Sequence, residues 1–201
     1  KAERLFKKAI DLSPHYSHAH EWYSALLIGT GRYDAGFQEI LTAEKLDPMS
    51  LRTKIMVIWS CYQTGEFEKA LKRAEEVINL DPNFPQGHLQ RGYVLCELGR
   101  AEEAIDEIEL ALRFMPGSSL AEFGLAFAYS AAGRITDAIA TADTMAERSH
   151  SEYIKPMFLG LANVAARRFD QAFHYFEIAF DEHDPWIAWF GTEEKLKVVR
   201  D

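Results

Sequence analysis

Apolar and polar positions along this chain follow the spacing of amphipathic helices, and the helices come in pairs. Ala2, Leu5, Phe6, Ala9 and Ile10 form one stripe. Ser13-Pro14 ends it, because proline has no N–H to donate and disfavours a helical residue before it. Trp22, Tyr23, Leu26 and Leu27 follow, then a break at Gly29 and Gly31, then Tyr33, Phe37, Ile40, Leu41 and Leu46 up to Asp47-Pro48. A second pair places Ile55, Val57, Ile58, Trp59, Cys61 and Tyr62 before Gly65, and Phe67, Ala70, Leu71, Val77 and Ile78 after it. Leu89, Tyr93 and Leu95 precede Gly99 in the third pair; Ala104, Ile105, Ile108 and Ala111 follow. Phe123, Leu125, Phe127 and Tyr129 precede Gly133 in the fourth, with Ala138 and Ile139 beyond. In the fifth pair Arg167 stands where the others have glycine, and Phe169, Ala172, Phe176 and Ala179 keep the register.

The punctuation has a fixed period. Gly31, Gly65, Gly99 and Gly133 lie 34 residues apart, and so do Pro14, Pro48, Pro82 and Pro116. Such a period predicts a stack of helix–turn–helix units whose short turns make neighbours antiparallel. The expected units are 17–50, 51–84, 85–118, 119–152 and 153–186. Residues 1–16 form the second helix of a repeat whose first half is missing, and 187–201 form a C-terminal cover. Because the chain opens inside a repeat, the pattern predicts a piece of a longer protein. A small residue follows each turn by five positions (Gly36, Ala70, Ala104, Ala138 and Ala172), which predicts a close helix crossing in every unit.

The series Ala104, Ile108, Ala111 and Pro116 resembles the second helix of the tetratricopeptide repeat, as do 33–48 and 67–82, and Ala2, Phe6, Ala9 and Pro14 match it at the start. The resemblance implies an all-α, right-handed superhelix whose first helices line a concave surface, and a shared role in binding other proteins. The family's tryptophan site is occupied here by His20, Lys54, His88, Glu122 and Pro156. The segment from Asp184-Pro185-Trp186 to Val199 is similar to the tail that follows repeat arrays in some bacterial signalling proteins. That similarity implies an interaction or sensor module of a larger regulator.

Composition narrows the chemistry. A net charge of −9 argues against a phosphate-neutralising surface, so no nucleic-acid partner is expected for this fragment. No apolar run reaches the roughly 18 residues of a membrane helix, so no membrane partner is expected and a cytoplasmic location is. Cys61 and Cys96, outside any C-x-x-C spacing, are expected to be buried thiols. His15, His18 and His20 straddle a proline turn, a poor arrangement for a metal. The carboxylates of Glu102, Glu103, Asp106, Glu107 and Glu109 read as a solvated helix face. No phosphate loop or nucleophile motif is present, so the expectation is a non-enzymatic module without cofactor or metal.

The first helices are apolar on two sides. In the second unit Val57, Ile58 and Cys61 suit packing on the unit's own second helix, whereas Ile55, Trp59 and Tyr62 form a separate row. The period carries that row to Leu89 and Tyr93, to Phe123 and Phe127, and to Met157, flanked by Arg52, Gln63, Gln86, Gln90 and Glu97. Aromatic side chains rimmed by polar ones suit a protein interface. Lys and Asn, which clamp C-terminal carboxylates in one subclass of the family, are absent from this row, so the expected partner is an apolar or amphipathic helix or peptide. Two alternatives stay open: self-association, with a possible homodimer, and the sensing of a small molecule.

Overall fold

The computed structural model describes residues 1–186, which form eleven α-helices. In chain order they are α1 (Ala2–Leu12), α2 (Ser17–Gly29), α3 (Tyr33–Leu46), α4 (Leu51–Gln63), α5 (Phe67–Leu80) and α6 (Pro85–Glu97). They continue with α7 (Ala101–Phe114), α8 (Ser119–Ala131), α9 (Ile135–Arg148), α10 (Pro156–Ala165) and α11 (Phe169–Asp181). The second helices begin at Tyr33, Phe67, Ala101, Ile135 and Phe169, 34 positions apart as the glycine period predicts. Each packs on the helix before it. Residues 187–201, where the C-terminal cover is expected, lie outside the described part.

The helices fall into two compact units, Lys1–Pro82 and a second beginning at Asn83. In the first, Phe6 of α1 stacks on Tyr23 of α2 with ring centroids 6.3 Å apart. Beside that contact Glu3 receives hydrogen bonds from Arg32 Nη1 and Nη2, both at 3.1 Å, and from the Tyr23 hydroxyl, also at 3.1 Å, with Lys7 Nζ at 3.0 Å. Arg32 foremost, then Lys7 and Tyr23, hold the Glu3 carboxyl down at about 2. A carboxyl lowered on folding stabilises the fold above its unfolded value near 4.5, and the effect fades as the pH falls toward 2. The amide protection of α1, corrected for the intrinsic pH dependence of exchange, should therefore be unchanged from neutral pH to about 5 and then fall relative to that of α4 as acidification proceeds. In Glu3→Gln this acid-dependent difference should vanish.

The predicted small residues sit where helices cross. Gly36, Ala70, Ala104, Ala138 and Ala172 are all buried. The residue facing this crossing from the first helix is also small in most units: Ser24, Gly92, Ala126 and Gly160. Ser24 Oγ donates to the Gly36 carbonyl at 2.7 Å. The three pairs with glycine here (α2/α3, α6/α7 and α10/α11) pack together more extensively than the two without it.

Two departures from strict periodicity have clear causes. The fifth first helix should start near 153, yet α10 starts at Pro156. Proline without an N–H fits the first helical position and pushes Lys155 to extended backbone (φ −54°, ψ 124°). Arg167 does take over the glycine turn: its φ is 58°, against 73–77° for Gly31, Gly65, Gly99 and Gly133. A residue with a Cβ is strained there. Arg167→Gly is therefore expected to stabilise the second unit by about 1 kcal/mol, seen as a higher urea midpoint at unchanged slope.

Candidate functional site

On α4, Val57, Ile58 and Cys61 are fully buried, and burial pushes the Cys61 thiol up. Cys96 is likewise buried and free. Ile55 and Trp59 are half-buried on another side of the helix. Tyr62 belongs to the interior instead, at 4% exposure, with its ring edge on Phe67 of α5 at 5.6 Å. The Arg52 side chain is exposed, and its guanidinium lies 5.1 Å from the centre of the exposed Trp22 ring. Its Nε is also 3.4 Å from Glu21 Oε2, while Thr53 Oγ1 donates to Glu21 Oε1. Glu21 is buried; Thr53 satisfies its Oε1, while Oε2 has the Arg52 ion pair and no hydrogen bond. Gln63, half-buried, closes the other end of α4.

In the second unit the row divides. Leu89, Tyr93, Phe123 and Met157 are interior, at 1, 6, 4 and 1% exposure. Tyr93 stacks on Phe123 at 5.8 Å, Phe123 on Phe158 at 5.7 Å, and Phe158 meets the edge of Trp186 at 5.3 Å. The Tyr93 hydroxyl donates to the Leu120 carbonyl at 3.0 Å, so its polar end is satisfied within the fold. Phe127 is half-buried; Gln86 is exposed, and Gln90 and Glu97 are half-buried. Every residue of α10 is buried. As a surface, then, the predicted row consists of Ile55 and Trp59 in the first unit and Phe127 in the second, with the other five members packed against their own chain.

The structure also fills the positions that the sequence leaves open. His20 Nδ1 lies 2.7 Å from Glu39 Oε2, and His88 Nδ1 lies 2.7 Å from Glu107 Oε2, each linking the first helix of a repeat to its second. Arg91 also bonds Glu107, and Arg148 joins Glu122 to Glu152. Lys54 and Arg73 share Glu44, at 3.3 and 2.9 Å. Side-chain pairs thus hold helices together where the repeat resembled by the sequence has a tryptophan. The identical His–Glu offset in two repeats was a signal available in the sequence. No group of three or more His, Cys, Asp or Glu able to hold a metal occurs among the described residues. No described helix is long and apolar enough to cross a membrane.

Residues 59–119 match the family model for the tetratricopeptide repeat. No curated protein matches the chain. Among solved structures, a thermophilic TPR protein of Thermus thermophilus superposes with a TM-score of 0.67 at 17% identity, over 82% of this chain and 90% of that one. A tetratricopeptide repeat protein of Parabacteroides merdae gives 0.62 at 16% identity, over 99% and 79%. YrrB, described as a TPR protein with an unusual peptide-binding site, gives 0.53 at 15% identity, over 92% and 96%. At these identities the likeness is one of fold: all-helical, with successive helix pairs packed as in tetratricopeptide-repeat solenoids.

Proposed function

We propose that this chain binds an apolar or amphipathic peptide or helix, with Ile55 and Trp59 of α4 as the main contact, because residues 59–119 match the model of the tetratricopeptide repeat, a fold that generally mediates protein–protein interaction. The observation that carries the reading is that α4 buries one side completely and leaves an isoleucine and an indole half-exposed on another, between Arg52 and Gln63. Indole and guanidinium groups are the side chains most enriched where binding energy concentrates. Phe127, with Gln86, Gln90 and Glu97 on neighbouring first-helix positions, is the corresponding contact of the second unit. Burying a fully exposed large apolar side chain contributes about 1.5–3 kcal/mol, and these half-buried ones retain a fraction of that to add on contact with a partner. The setting we propose is a larger bacterial signalling or regulatory protein in the cytoplasm, acting without catalysis.

The test is photo-crosslinking. A benzophenone amino acid placed at position 59 of the full-length protein in its native cells should give an adduct with a second polypeptide, and one placed at Leu80, exposed on α5, should not. Adducts of equal yield from both positions, or from Leu80 alone, would argue against the proposed face.

A further inference from the structure

Arg52 is held in position by contacts that use none of its hydrogen-bond donors. Its guanidinium lies 5.1 Å from the centre of the Trp22 ring, and its Nε stands 3.4 Å from Glu21 Oε2, an ion pair without a hydrogen bond. Glu21 is 2% exposed and is fixed at its other oxygen by Thr53, so the cation rests beside a rigid carboxylate. Elsewhere an arginine next to a glutamate spends its donors on it, as Arg73 does on Glu44 and Arg91 on Glu107. The Arg52 side chain is 55% exposed and makes no hydrogen bond among the described residues. A guanidinium presents its N–H groups in a planar fork that matches a carboxylate. Here the fork is oriented before any partner arrives, which lowers the ordering cost of using it.

The surroundings favour an anion. α4 carries Arg52 and Lys54 and no carboxylate; among the described helices it alone has basic residues and no acidic one, in a chain of net charge −9. Lys54 is committed to Glu44 at 3.3 Å, which leaves Arg52 as the cation of α4 for a partner to meet. Arg52 precedes Ile55 by three positions and Trp59 by seven, so the three lie along one side of the helix, with Arg52 one turn from the isoleucine. The exposure of Arg52 does not depend on an end of the chain: described helices precede and follow α4, and the equivalent position of the next repeat, Gln86, is exposed as well.

We infer that the partner peptide carries an acidic side chain, Asp or Glu, about one helical turn from the apolar residue that covers Ile55, and that the Arg52 fork donates paired N–H···O bonds to it. The inference rests on the peptide-binding reading of the α4 face and names the charge that accompanies its apolar anchor. An uncharged neighbour leaves the fork to water, and a basic one is repelled by it, so the residue acts on which sequences bind. Ion pairing at a half-exposed site adds only modestly to affinity.

The test selects a library of random displayed peptides on the whole 201-residue chain, on Trp59→Ala and on Arg52→Gln. Peptides enriched by the native chain and lost on Trp59→Ala should carry Asp or Glu near an aromatic or aliphatic anchor more often than the unselected library does. On Arg52→Gln that preference should vanish. For the strongest peptide, replacing its acid by the amide should weaken binding to the native chain about fivefold and leave binding to Arg52→Gln unchanged. Arg52→Gln removes the counter-charge of Glu21, so circular dichroism accompanies it; the amide peptide on the native chain decides the matter even where the variant loses helicity. Trp59-dependent peptides without an acidic preference, equal affinity of the acid and amide peptides for the native chain, or an undiminished preference on helical Arg52→Gln would overturn the inference and leave the apolar face in place. Absence of any Trp59-dependent peptide would overturn the peptide-binding reading along with it.

Discussion

Changing Gly92 and Ile108 to alanine together is expected to cost less than the sum of the two single changes. Ile108 on α7 is fully buried, and its Cγ1 would stand 2.4 Å from a Cβ added at Gly92 on α6. The branched side chain therefore occupies space that only a glycine opposite can leave. Ile108→Ala alone empties that space, at about 2–5 kcal/mol. Gly92→Ala alone forces the isoleucine aside, at about 1–3 kcal/mol, partly offset by about 1 kcal/mol of helix propensity. In the double variant the new methyl enters the vacated volume, so a favourable coupling of about 1–2 kcal/mol should appear in a denaturant cycle on the second unit. Strict additivity would mean that the α6/α7 crossing is not set by this pair.

Tyr93→Ala should unfold the second unit under conditions in which Trp59→Ala leaves the chain fully helical. Tyr93 is 6% exposed, stacks on Phe123, and lies so close to α8 that a Cβ at Gly124 would be 2.7 Å from its Cε1. Removing the ring leaves a cavity beside Phe123 and frees the Leu120 carbonyl from its side-chain donor. By analogy with other large aromatics the loss is about 3–5 kcal/mol, a large share of the stability of a small domain. Trp59 is only half-buried, so its truncation should cost well under that. Thermal melts followed by circular dichroism separate the two. Equal destabilisation by both changes would place Trp59 in the core too.

Much of the architecture was legible because the turns impose it. A left-handed residue at one fixed position and a proline at another set where helices stop, so the starts of α3, α5, α7, α9 and α11 follow from arithmetic. Even Arg167 obeys the position and not the residue type. The start of α10 departs from the arithmetic because Pro156 can begin a helix more easily than sit within one.

The binding row was less legible, for a different reason. Residues such as Phe123, Leu125 and Phe127 surround their helix, and periodicity alone does not say which side another helix will cover. Stepping by the repeat length holds to one side of the helix, whereas the ring stack runs diagonally, from Tyr93 to Phe123 and then to Phe158, beside the Met157 that the period selects. Only coordinates separate Tyr93, which is interior, from Trp59 and Phe127, which keep some exposure. The polar pairs that tie the helices were hidden in the same way, since a single His or Glu reveals no partner until two repeats are compared.

The most direct measurement is a calorimetric titration of the polypeptide captured from position 59 into the native chain and into Trp59→Ala. The account predicts a loss of about 30-fold in affinity, the equivalent of about 2 kcal/mol, with helicity unchanged. Affinity equal for the two proteins would show that the α4 face is not where this chain holds its partner.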